Sequence, residues 1–164
     1  SRVVGLTSSD AKGERLKSEL GYDAFINYRE PNLDQQFSTT CPAGIDVYFD
    51  NVGGPILEAA LDHVNLRSRV VLCGSISGYN ATTPIPGPSN LSNLTINRAR
   101  MEGFVILDYM PRAMEAVQEL MGWVSSGQLI YQVDLQEGFE NIPATLQRLY
   151  SGHTPGRRLR NIAG

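Results

Sequence analysis

The sequence predicts an α/β fold built on a doubly wound, mainly parallel sheet. Three observations point to it. Short strand-like runs alternate with helical segments along the chain, the order that calls for helices on both faces of a parallel sheet. Val47-Tyr48-Phe49 and Arg69-Val70-Val71-Leu72-Cys73 are near-continuously apolar, as strands covered on both faces must be. Each of these runs breaks into a polar, glycine-rich stretch, Asp50-Asn51-Val52-Gly53-Gly54 and Gly74-Ser75-Ile76-Ser77-Gly78-Tyr79-Asn80, at the end where an open α/β sheet binds its ligand.

In chain order, Val3-Val4-Gly5-Leu6 reads as a strand, and Thr7-Ser8-Ser9-Asp10 supplies N-caps for a helix from about Ala11 to Leu20, closed by Gly21 at C′. Ala24 to Tyr28 reads as the next strand, Leu33 to Thr39 as a short helix and Ile45 to Phe49 as the strand after it. Gly53-Gly54-Pro55 opens a helix with Ile56, Leu57, Ala60, Leu61 and Val64 on one face. Arg69 to Cys73 is the following strand. Pro84, Pro86 and Pro88 exclude regular helix there, so Ala81 to Asn97 reads as a long loop, a class of segment that is often functional. Phe104-Val105-Ile106-Leu107 reads as a strand. From Arg112 to Ser126, Met114, Val117, Leu120, Met121 and Val124 share one helical face, read as core, and Gly127 ends the helix. Leu129 to Leu135 reads as a strand, Glu140 to Tyr150 as a helix closed by Gly152, and Arg158 to Ile162 as a final strand.

A chain of 164 residues, 41% hydrophobic and 19% charged, has room for one globular core. Its net charge of -3 and the lack of a basic cluster beyond Arg157-Arg158-Leu159-Arg160 argue against nucleic acid or an anionic membrane as partner. Cys41 and Cys73 are the only cysteines, with no CxxC, so neither a disulfide framework nor a thiolate zinc site is expected, and a reducing cytoplasm fits. No apolar run reaches the length of a membrane span. The absent initiator Met and the immediate entry into a strand lead to the expectation that the natural N-terminus lies upstream.

A doubly wound nucleotide-binding sheet opens with strand, glycine loop and helix. This chain starts on what reads as the second strand, so its first βα unit, with any G-x-G-x-x-G loop, is expected before Ser1. At the end of a second strand, hydroxyls and a nearby cation suit the 2′-phosphate of NADP. Ser8, Ser9 and Lys12 fit that pattern. Lys12 opposes the helix dipole there, which an anion would offset, and an ordinary solvated lysine fits equally well. Tyr28, at the end of the next strand, reads as a half-buried aromatic. Asn51 can hydrogen-bond a ligand or close a local Asx turn. Tyr79 is either packing or a phenol able to donate a proton or stabilise an enolate-like oxygen. His63, placed in a helix, and His153, in a late turn, have no sequence partner that makes a triad or metal site.

Taken in register, Ser8-Ser9-Asp10-Ala11-Lys12, Ile26-Asn27-Tyr28-Arg29, Val47 to Gly54 and Leu72 to Asn80 resemble the zinc-independent medium-chain dehydrogenase/reductases of the leukotriene B4 dehydrogenase and prostaglandin reductase group, which includes alkenal and curcumin-type reductases. The resemblance covers nearly the whole chain. It implies that residues 1–164 are a partial NADP-binding Rossmann domain, with the catalytic domain and the first βα unit upstream. Lys12 and Tyr28 would contact the 2′-phosphate end of NADPH. Asn51 and Cys73, Gly74, Ser75, Ile76, Ser77, Gly78 and Tyr79 would line the cofactor cleft, while Phe104, Val105 and Ile106 would hold the nicotinamide through backbone groups.

Members of the group reduce the carbon-carbon double bond of α,β-unsaturated ketones or aldehydes. The resemblance therefore implies an enone or enal substrate, Tyr79 as the catalytic residue near its oxygen, no metal, and a homodimer through an edge strand at Phe104 to Leu107. The isolated chain is expected to be inactive. Removing the first strand would leave the sheet without a central member, rearranged or completed by another chain. Two features depart from the group: Thr154-Pro155-Gly156-Arg157 stands where it has Asn-x-Gly-Lys, and Arg158 to Ile162 is not apolar. The other readings are a Rossmann-like methyltransferase and a non-catalytic nucleotide-binding module.

Overall fold

A computed structural model describes residues 1–131, 133–150 and 157–161, which fall in two compact units, Ser1–Pro111 and Arg112–Gly164. Among the described residues no helix is long and apolar enough to cross a membrane.

The first unit opens with β1 (Val4–Thr7), α1 (Asp10–Leu20) and β2 (Ala24–Asn27). The Ser9 side chain accepts the Lys12 amide at the N-cap, and Gly21, at φ 71°, closes the helix in the left-handed conformation that glycine adopts without strain. Gly13 has a packing reason: a Cβ there would come within 2.1 Å of the Phe25 ring, so glycine lets α1 lie directly on β2. Next come α2 (Leu33–Thr40), β3 (Ile45–Asp50), α3 (Gly54–Leu61) and β4 (Val64–Leu72). The unit ends with α4 (Ser92–Ile96), β5 (Arg100–Gly103) and a 3-10 helix at Ile106–Arg112.

All pairings are parallel, but the strands form two sheets, β1-β2 and β3-β4-β5. Both rest on one core, in which Ile26, Phe37, Tyr48, Leu61 and Val70 are buried and Val4 and Leu6 of β1 pack against them. β1 and β3 thus belong to separate sheets.

Several elements differ from the sequence reading. Val64 begins β4 rather than completing the face of α3, and His63 lies in the turn between them, because α3 stops after Leu61. The strand expected at Phe104 to Leu107 is Arg100–Gly103 instead. An edge strand pairs on one side only and tolerates polar residues, so its Arg-Met-Glu-Gly run hid it, while the more apolar Phe104 to Leu107 begins a turn. The loop from Ala81 to Asn97 contains α4 in its last third.

In the second unit α5 spans Ala113–Ser125, and Gly127 follows at φ 73°. β6 (Val133–Glu137) pairs in parallel with β7 (Arg157–Asn161), and a 3-10 turn at Phe139–Asn141 leads into α6 (Ile142–Tyr150). The strand expected from Leu129 thus starts four residues later, and the final helix has a 3-10 entry. The face of α5 read as core is not buried: Met114 and Met121 are 66% and 64% exposed. Helical spacing fixes which side is apolar, while burial needs a partner surface, and α5 has no fully buried residue. Gly152, His153 and the Thr154 to Gly156 part of the departure from the family pattern lie outside the described residues.

Candidate functional site

The carboxyl ends of β3 and β4 are fastened together around Asp50. Its side chain is 1% exposed. Oδ1 accepts the amides of Val52 and Gly53, each at 3.0 Å, and Oδ2 accepts the Gly53 amide at 3.1 Å. The buried carboxylate thereby turns the end of β3 into α3, with Gly53 at φ 70°. The Tyr48 hydroxyl also donates to Oδ1, at 3.4 Å. Burial first, then the Asp50 charge and this hydrogen bond, push the Tyr48 phenol well above its ordinary range.

The segment after β4 is laid along this turn. Cys73 and Gly74 donate their amides to the Asp50 carbonyl at 2.8 and 3.1 Å, Ile76 donates to Asn51 O at 3.3 Å and Ser77 to Val52 O at 3.1 Å. The Ser77 hydroxyl donates to the same Val52 carbonyl at 2.6 Å. Close approach explains the glycines: a Cβ on Gly74 would sit 3.0 Å from Asn51 O and 3.5 Å from the Tyr79 hydroxyl. A Cβ on Gly53 or Gly54 would meet Ser75 Oγ or Ser77 Oγ at 3.0 Å. Tyr79 remains 71% exposed, with its hydroxyl over Gly74.

Phe104 adds the end of β5. Its amide donates to Leu72 O at 2.8 Å, and its ring meets Phe49 edge-on at 6.2 Å and Tyr109 at 5.2 Å. Val105 and Ile106 follow as exposed side chains.

A second group forms at the ends of β1 and β2. Lys12 Nζ donates to Ser8 Oγ at 3.3 Å, and the Tyr28 amide donates to Thr7 O at 3.0 Å, tying the two strand ends together. Asn27, buried, donates from Nδ2 to Asp10 Oδ1 at 2.9 Å. A cleft of about 580 Å³ is lined by Tyr28 and Asn51 among others; Lys12 is not part of its wall.

The structure therefore brings together Asn51, Cys73 to Tyr79 and Phe104, with Tyr28 across the cleft and Lys12 at the neighbouring strand end. The sequence reading missed Asp50. Its signal was an acid at a strand end followed by glycine amides that need an acceptor. His63 has partners remote in sequence, with Nε2 2.8 Å from Asp34 Oδ1 and the ring stacked on Phe37.

Among the described residues there is no group of three or more His, Cys, Asp or Glu side chains that could hold a metal ion. The model of the zinc-binding dehydrogenase family matches residues 1–126. The chain is 37% identical over 158 residues to the NADP(+)-dependent 2-alkenal reductase of Nicotiana tabacum, covering 96% of this chain and 46% of that protein. It is 34% identical over 168 residues to the NADPH-dependent curcumin reductase of Escherichia coli (strain K12), covering 99% and 49%. The crystal structure of CurA from Vibrio vulnificus in complex with NADPH superposes with a TM-score of 0.89 at 34% identity, over 99% of this chain and 50% of that one. The chain spans about half the length of the curated relatives it matches. With its parallel strands, alternating helices and Rossmann-like architecture, the chain belongs to the zinc-binding dehydrogenase family.

Proposed function

We propose that this chain is the partial nucleotide-binding Rossmann domain, residues 1–164, of an NADPH-dependent reductase that saturates the carbon-carbon double bond of α,β-unsaturated ketones or aldehydes. The observation that carries the reading is the convergence of the β3, β4 and β5 ends: Asn51, the Cys73 to Tyr79 segment and Phe104 lie where an open α/β sheet holds a nucleotide. The glycines at 53, 54 and 74 let the backbone of these strand ends and the hydroxyls of Ser75 and Ser77 pack at close range, which holds the segment in place. The names of the relatives point to the same cofactor and to alkenals and curcumin as the substrate class.

In this reading Ser8 and Lys12 bind the 2′-phosphate, with Tyr28 beside them. Asn51 and residues 73–79 hold the dinucleotide, and Phe104, Val105 and Ile106 position the nicotinamide through their backbone. When bound, NADPH supplies the hydride that adds to the β-carbon. The Tyr79 hydroxyl, exposed over Gly74, hydrogen-bonds the substrate oxygen as charge develops there, while the α-carbon takes up a proton. The isolated chain does not turn over. The complete enzyme acts on a small enone or enal in the cytoplasm, and two copies pair through the free edge of β5.

The test is NADPH consumption by the complete enzyme with a 2-alkenal and with an enone, repeated for Tyr79→Phe. Loss of this hydroxyl lowers kcat by about 10²-fold, the ordinary contribution of one hydrogen-bond donor to a developing oxyanion. An enzyme that binds NADPH but leaves both double bonds intact overturns the reading.

A further inference from the structure

Asn27 is the last residue of β2, 6% exposed, and its side chain joins two elements that follow different strands. Its Nδ2 donates at 2.9 Å to Oδ1 of Asp10, in the first turn of α1, and its Oδ1 accepts the Arg29 amide at 3.2 Å. The side-chain amide can stand only this way round. Flipped, it would set its oxygen against the Asp10 carboxylate and its NH2 group against the Arg29 N–H.

The main chain of Asn27 is held as firmly. Gln36 of α2 accepts the Asn27 amide through Oε1 and donates to the Asn27 carbonyl through Nε2, both at 3.1 Å, a pairing that a neighbouring strand would otherwise supply. The same carbonyl accepts the Glu30 amide at 3.1 Å, which closes a turn from Asn27 to Glu30 with asparagine at its favoured first position. Tyr28 and Arg29 are the central residues of that turn, so Asn27 sets the direction in which Tyr28 leaves β2. The Tyr28 amide is tied at the same time to Thr7 O at 3.0 Å.

The consequence is a fixed spacing between two strand ends. Ser8 and Lys12 follow β1, Tyr28 follows β2, and the bond from Asn27 Nδ2 to the Asp10 carboxylate, of the stronger charge-assisted kind, spans from one to the other. We propose that Asn27 is the positioning residue of the 2′-phosphate site: without touching the cofactor, it sets the distance between Lys12 and Tyr28, and so selects NADPH over NADH. The proposal rests on the reading of Ser8, Lys12 and Tyr28 as the group that binds this phosphate. A lysine is a point charge on a flexible stem, so its power to discriminate depends on where its helical turn is held.

The test is the KM of the complete enzyme for NADPH and for NADH, measured together with kcat. Asn27→Ala raises the KM for NADPH by about tenfold, the order that loss of one charge-assisted hydrogen bond gives, and leaves kcat and the KM for NADH unchanged. Asn27→Asp sets two carboxylates against each other and costs more. Exchanging the pair, Asp10→Asn together with Asn27→Asp, reverses donor and acceptor at unchanged net charge and restores the preference for NADPH. Asp10→Ala, at an exposed position, loses the same bond without disturbing the interior; it raises the KM for NADPH by a similar factor, and it decides the matter if the Asn27 variants do not fold. A rise in both KM values together, or an unchanged preference in Asn27→Ala and Asp10→Ala, overturns the proposal and leaves the phosphate site standing. An unsubstituted enzyme that uses NADPH and NADH alike removes the 2′-phosphate site itself, and the proposal with it.

Discussion

Asp50 Oδ1 accepts the Gly53 amide at 3.0 Å, so a single buried carboxylate converts the end of β3 into the start of α3. The same residue offers its carbonyl to Cys73 and Gly74. The position of the segment after β4 therefore depends on the turn after β3. Asp50→Ala leaves buried amides without an acceptor and costs about 2–4 kcal/mol, read from the urea midpoint. An unchanged midpoint would remove Asp50 from the centre of this site.

Tyr48 donates to the same carboxylate from a buried position, and its phenol is held above the ordinary value of 10.0. A group whose folded pKa is raised gives stability that is complete below the unfolded pKa and lost as pH rises through the folded one. The unfolding free energy therefore falls as pH rises above the ordinary phenol range. Tyr48→Phe removes that part of the alkaline slope, which urea melts at a series of alkaline pH values would measure.

Glu58 of α3 fastens the proline-rich loop. It accepts the Ser89 hydroxyl and, at 3.1 Å, the Ser89 amide, while its carbonyl accepts from Asn90 Nδ2 at 2.8 Å. The Ser89 hydrogen bonds, side chain first, hold the carboxyl below its ordinary value. A depressed folded pKa gives an attachment that is present above the unfolded pKa and lost as pH falls through the folded one. Proteolytic nicking between Ala81 and Ser89 by an acid-active protease should therefore rise at the acid end, and Glu58→Gln should flatten this dependence.

Gly13 is the contact between α1 and β2. Gly13→Ala forces a methyl group into the Phe25 ring and costs about 1–3 kcal/mol by overpacking, against the small gain that alanine gives an open helix. A thermal melt distinguishes the two signs.

Most of the first unit was legible in the sequence because its signals are local. Ser9 and Gly21 bracket α1, Pro55 marks the start of α3, and the apolar runs mark β3 and the end of β4. Edge position defeated the reading at β5, since Arg100 to Gly103 needs no apolar face and Phe104 to Leu107 has one without being a strand. Asn51 was the residue singled out at the strand end, yet the buried hydrogen bonds belong to Asp50, whose signal, an acid followed by glycines, names backbone amides rather than a partner side chain. The expectation placed the first strand before Ser1 and left the sheet either rearranged or completed by another chain, whereas the separation of β1-β2 from β3-β4-β5 required coordinates. Likewise, periodicity marked the apolar side of α5 but could not report that it stays open.

The most direct test of the central claim is thermal unfolding of this chain with saturating NADPH, NADH or S-adenosylmethionine. At a ligand concentration about 100-fold above Kd, a ligand that binds only the folded state adds about 2.7 kcal/mol. For a chain of this size that is a rise in Tm of about 5–10 °C. The expected result is a rise of this order with NADPH, a smaller one with NADH, and loss of the difference in Lys12→Ala, whose ammonium sits 3.3 Å from Ser8 Oγ at the end of β1. Equal responses to NADPH and NADH, or stabilisation by S-adenosylmethionine instead of NADPH, would contradict the assignment of this chain as part of an NADPH-binding domain.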